Sequence, residues 1–122
     1  MITEDYVSFE IAKLLKKKGF NGAVHSDYNE LGGIIMGGGP ITKNCVKAPT
    51  LQMAMKWLRE EHNIDIDIYT LWKIDREAIY RTNGYKFRLH YANAPVHSIN
   101  KIYPTYEKAC EAAIKYCLEI LI

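Results

Sequence analysis

The stretch IDIDIYTLWKI, residues 64–74, restricts the fold more than any other part of the chain. Ile64, Ile66, Ile68, Thr70, Trp72 and Ile74 alternate with Asp65, Asp67, Tyr69, Leu71 and Lys73. A period of two puts the two sets on opposite faces of an extended strand. One set is largely apolar, and the other begins acidic. Parallel strands are buried on both faces and read as continuous apolar runs, so this alternation fits an antiparallel sheet with one face wet. The apolar face then needs a cover from elsewhere in the chain.

Three amphipathic stretches can supply that cover. Val7, Ile11, Leu14 and Leu15 repeat with helical period, with Thr3 as the expected cap, Glu4 and Asp5 at the positive end of the dipole, and Ile2 and Val7 spaced as a hydrophobic staple. Lys16, Lys17 and Lys18 fall in the last turn, and Gly19 is placed for a left-handed stop. A second helix opens at Pro49-Thr50, carries Leu51, Ala54, Met55, Trp57 and Leu58 on its apolar side, and ends near His62-Asn63. A third, capped by Thr105, presents Ala109, Ala113, Tyr116, Cys117 and Ile120 as a buried stripe, with Glu107, Lys108, Glu111, Lys115 and Glu119 towards solvent.

The rest of the sheet is less sharply written. Tyr85, Phe87, Leu89 and Tyr91 alternate with Lys86, Arg88 and His90, which predicts a second strand. Asn83-Gly84 is the strongest two-residue hairpin signal, so residues 78–82 are expected to pair back on Tyr85, although residues 75–84 also suit one helical turn. Ala23-Val24-His25 and Ile34-Ile35-Met36 are expected to form a hairpin, and residues 92–104 a loop with a short strand at 97–103. The expectation is an α+β fold in two layers, an antiparallel sheet of about four strands with three helices mainly on one face, in the order α-β-β-α-β-β-α. With 122 residues, 48% hydrophobic, the chain suits a single domain, 1–122, around one core.

The segments SFEIAKLLKKKGF, APTLQMAMKWLREEHNI and YEKACEAAIKYCLEILI resemble three blocks of a family of small uncharacterised proteins associated with gut bacteria and their prophages or other mobile elements. The resemblance covers somewhat under half of the chain, all of it helix or helix edge. It implies a mobile-element origin and brings no activity, cofactor or catalytic residue.

Composition excludes more than it selects. Sixteen basic against fourteen acidic side chains give a net charge of +2, too slight a bias to point to a polyanionic partner. The acidic start lacks an apolar leader core, and no apolar run approaches the roughly 20 residues of a spanning helix. Cys110 and Cys117 lie two helical turns apart, about 10.5 Å of rise, too far to bridge. Together with Cys45 they read as reduced thiols of a cytoplasmic protein without a membrane partner.

Each candidate for chemistry has a plainer reading beside it. Gly32 and Gly37 have the outer spacing of a P-loop, but Gly38-Gly39 stand where its lysine and hydroxyl belong, and no helix follows until about Thr50. The plainer reading, a turn or loop exploiting positive φ, is preferred, and no cofactor is expected. Asp65 and Asp67 share a strand face, roughly 6.7 Å apart along it, and with His90 form a weak metal or acid–base candidate for a metal-dependent hydrolase. The plainer reading is a solvated face that discourages edge association. Lys13, Lys16, Lys17 and Lys18, with Lys86 and Arg88, are weak candidates for a nucleic-acid contact. Tyr69, Leu71 and Tyr91 are expected outside the core and form the candidate interaction face, since exposed apolar and tyrosine patches mark interfaces. The preferred expectation is a non-catalytic interaction or oligomerisation domain, with itself (a homodimer) or another protein as partner. Nucleic-acid binding ranks below it.

Overall fold

Tyr6 forms an isolated antiparallel bridge with Thr50 in the computed structural model, which describes residues 4–36, 45–92 and 94–122. The Val7 N–H donates to the Pro49 carbonyl (3.0 Å) and the Leu51 N–H to the Asp5 carbonyl (2.9 Å). This pairing holds the chain extended through the residues expected to begin the first helix. Helix α1 (Phe9–Lys17) therefore starts later, with Ser8 as its cap. The Ser8 Oγ accepts from the Ile11 N–H at 3.2 Å. Thr3, the expected cap, lies outside the described residues. The helix end is as expected, with Gly19 at φ 91°.

A small antiparallel sheet follows, in the order β2 (Ile34–Met36), β1 (Ser26–Tyr28), β3 (Val46–Lys47). Its first strand is displaced from Ala23-Val24-His25 towards the turn that the sequence signals at Tyr28-Asn29-Glu30. The Asn29 side chain fixes that turn, its Oδ1 accepting from the N–H groups of Leu31 and Gly33, both at 2.9 Å. Gly32 adopts φ 86° in the same turn. Residues 37–44, with the remaining glycines of the rejected P-loop, lie outside the described residues.

Helix α2 (Leu51–His62) is capped by Thr50, whose Oγ1 accepts from the Met53 N–H at 3.2 Å. Asn63, at φ 55°, turns the chain directly into strand β4 (Ile64–Ile74). Strand β5 (Ile79–Tyr91) pairs antiparallel along β4, and β6 (His97–Ser98) extends this second sheet in the order β4-β5-β6. A bridge between Tyr85 and Tyr103 continues the returning chain along β5. Helix α3 (Tyr106–Tyr116) is capped by Thr105 and passes into a π-helical turn, Cys117–Leu121.

The fold is α+β, with three helices and antiparallel sheets. Among the described residues the expected single sheet of about four strands is divided into two, because β1, β2 and β3 pair there with one another and not with β4–β6. One core joins the three helices with β1, β3, β4 and β5. Leu15 from α1, Leu58 from α2, Phe87 and Leu89 from β5, and Ile114 and Leu118 from the C-terminal helix are fully buried in it. Burying each such side chain stabilises the fold by roughly 1.5–3 kcal/mol. Ile120, expected in that core, is 63% exposed. Leu118 faces the core instead, four residues on from the buried Ile114, and the π-turn beyond it closes with the Ile122 N–H on the Cys117 carbonyl (3.1 Å).

Polar residues of α3 lock it to α1. The Ser8 N–H donates to Glu111 Oε1 (3.1 Å), and Lys115 Nζ lies 3.1 Å from Glu10. Glu111 and Lys115, expected in solvent, are thereby drawn into the contact between the two helices.

Candidate interaction site

Eleven residues of strand rise about 36 Å, whereas the twelve residues of α2 rise only about 18 Å. The β4–β5 ribbon therefore outruns its helical cover. At its base Ile64 is 3% exposed and pairs with Tyr91, and Ile68, packed on the core, pairs with Phe87. Further along, Trp72 pairs with Arg81 and Ile74 with Ile79. These tip residues belong to the same alternating set, yet Trp72 is 61%, Ile74 82% and Ile79 68% exposed. The ribbon is an arm with an apolar, uncovered end.

The arm turns at Arg76-Glu77, where the Asp75 N–H donates to the Ala78 carbonyl at 2.8 Å and the Ala78 N–H to Asp75 at 3.3 Å. The hairpin turn expected at Asn83-Gly84 does not form. Between the pairs Thr70–Tyr85 and Trp72–Arg81 the register shifts, so residues 82–84 of β5 oppose Leu71 alone. Asn83-Gly84 is thus a bulge inside a continuous strand. The Thr82 hydroxyl donates to the Leu71 carbonyl (2.9 Å) and ties the bulge down. A Cβ on Gly84 would stand 2.9 Å from Ile102 Cγ2 and 3.2 Å from Leu71 Cδ1, so the returning loop can pack closely only on a glycine. Leu71, Trp72, Lys73, Thr82, Gly84 and Ile102 line a cleft of about 430 Å³ at this point.

The expected interaction face is only partly outside the core. Tyr69 is half-buried beneath the Arg88 guanidinium, 4.6 Å above its ring, and Leu71 is half-buried beside Ile102. Tyr91 does not belong with them. It pairs with Ile64 on the covered side and packs against the core, as the strand alternation that buries Phe87 and Leu89 requires. Trp72, Ile74 and Ile79 were missed as surface residues because alternation alone assigns the first two to the covered face. The mismatch in length between strand and helices was the available signal.

Several of the polar candidates are engaged within the chain. Arg88 Nη2 and Nε contact Asp67 Oδ2 at 2.7 and 3.1 Å, and Lys86 Nζ donates to Asn100 Oδ1 at 3.0 Å. Lys13 lies 4.7 Å over the Phe9 ring, and Lys18 Nζ donates to the Ile122 carbonyl at 2.7 Å. Lys86 and Arg88 alternate with Phe87 and Leu89 and so face away from the helices. Lys13, Lys16, Lys17 and Lys18 belong to the helical side, where α1 packs on α3, so the geometry does not join the two groups. Asp65 stands directly across from His90 in register. Among the described residues no three His, Cys, Asp or Glu side chains converge as metal ligands. Burial pushes the Cys110 thiol up to about 11 and that of Cys117 to about 12, which keeps both protonated and unreactive at neutral pH.

No helix among the described residues is long and apolar enough to cross a membrane. No protein-family profile, curated protein or solved structure gives a match to the chain.

Proposed function

We propose that this chain is a cytoplasmic, non-catalytic interaction module that works as a homodimer, with the end of the β4–β5 arm as its contact. The supporting observation is the exposure of Trp72, Ile74 and Ile79 together on one arm. Scattered surface hydrophobics need no explanation, but large ones gathered on a projecting element, at a strand edge with no strand neighbour among the described residues, favour association. A second copy presents the same surface, so one apolar patch covers another. The cytoplasmic part of the reading draws on the buried, unbridged thiols of Cys110 and Cys117.

Sedimentation equilibrium tests this reading on the native protein and on Ile74→Lys, a substitution at a position exposed in the single chain. A native dimer that becomes a folded monomer in the variant is expected. A native protein that stays monomeric at high micromolar concentration overturns the reading.

A further inference from the structure

Resting on that reading, the geometry points to a specific joint: we infer that β4 pairs antiparallel with β4 of a second copy about a two-fold axis at Tyr69, joining the two sheets into one of six strands. β4 ends the order β4-β5-β6, so one of its edges has no strand neighbour among the described residues. An unpaired edge offers its N–H and C=O groups to any strand of matching pattern. The best-matched strand is β4 itself, because its sequence is complementary when reversed.

Centring the pairing on Tyr69 uses the full length of the strand. It sets Ile64 opposite the second copy's Ile74, Ile66 opposite its Trp72 and Ile68 opposite its Thr70. The exposed end of each arm is thereby laid beside the apolar base of the other, on the helical side. On the opposite face, Asp65 meets Lys73 of the second copy twice over, once on each side of the axis. Both side chains are exposed in the single chain. Directly opposed charges of opposite sign favour a cross-strand pair, and like charges oppose it.

Neighbouring registers that keep the faces aligned are worse. Moving the centre to Thr70 places Asp65 opposite Asp75, a like-charge pair. Moving it to Ile68 runs Ile74 onto His62, the last residue of α2, where the strand has already ended. Only the Tyr69 register pairs all eleven residues without opposing like charges.

The test exploits the two-fold symmetry. Asp65→Lys alone and Lys73→Asp alone each set like charges opposite one another, and each is expected to weaken the dimer about tenfold or more. Mixing the two variants restores complementarity in a heterodimer, and the double variant Asp65→Lys/Lys73→Asp restores it in a homodimer. Both are expected to recover affinity in sedimentation equilibrium, and recovery shows that the single variants remain folded. A dimer indifferent to these charges, or single variants that the mixture and the double variant fail to rescue, overturns the β4 register while self-association stands. A monomeric native protein removes both.

Discussion

Asn63 has a positive φ, 55°, that only glycine adopts freely, and it sits at the junction where α2 must stop and β4 must start in the next residue. Its short polar side chain tolerates the left-handed conformation better than most. Asn63→Ala is therefore expected to cost about 1 kcal/mol in urea unfolding, and Asn63→Gly to leave stability nearly unchanged. The buried thiols act at the same scale. Cys110 and Cys117 resist ionisation in the folded chain because burial removes water from the thiolate, which raises their pKa to about 11 and about 12 from an ordinary value near 9. The folded state thus favours the neutral thiol, and that stability is complete below pH 9. Above pH 9 the unfolded chain loses protons that the folded chain retains, so stability falls as pH rises towards 11 and 12. Each thiol adds up to about 1.4 kcal/mol per pH unit in that window. Urea midpoints at pH 8, 9 and 10 should show the decline, and Cys110→Ala/Cys117→Ala should flatten it.

The closing helix changes winding within one element, and its buried stripe runs through Cys110, Ile114 and Leu118. Leu118 is fully buried while Ile120 is 63% exposed. Leu118→Ala is expected to cost about 2–5 kcal/mol, as a large-to-small substitution in a packed core. Ile120→Ala should cost under about 0.5 kcal/mol, the range of surface changes. Equal losses at both positions would mean that Ile120 is packed rather than exposed in solution. The arm poses the matching question for β structure. Neither Arg76 nor Glu77 has positive φ, although the turns best suited to a two-residue hairpin require it. Replacing Arg76-Glu77 with Asn-Gly should let the turn adopt that geometry. Slower hydrogen exchange at Trp72 and Arg81, with the core unchanged, is the expected result.

At the scale of the molecule, one core joins α1, α2, α3 and both sheets, and the end of the arm lies beyond it. If two copies associate through the arm, folding is linked to concentration, because partner binding stabilises the native state by mass action. The melting temperature of the native protein should rise with protein concentration, and that of Ile74→Lys should not. Differential scanning fluorimetry over a hundredfold concentration range reads the difference. A melting temperature independent of concentration in both proteins would count against self-association.

Periodicity was enough to place α2, β4 and α3 and to recognise an α+β chain, because burial on one face imprints its period directly on the residues. The cap at Thr105 and the stop at Gly19 were legible for the same local reason. Local signals misled where a distant partner competed. The Tyr6–Thr50 pairing moved the start of α1 to Ser8, and Asn83-Gly84 forms a bulge beneath Ile102 instead of a turn. The division into two sheets also depended on which strands meet, and no local pattern encodes that. The same holds for the candidate site. Alternation correctly set Asp67 and Arg88 on one face and, followed strictly, places Tyr91 on the other. It could not show that Trp72 and Ile74 lie past the helices, because period reports which face a side chain shares, while burial depends on whether another element reaches far enough to cover it.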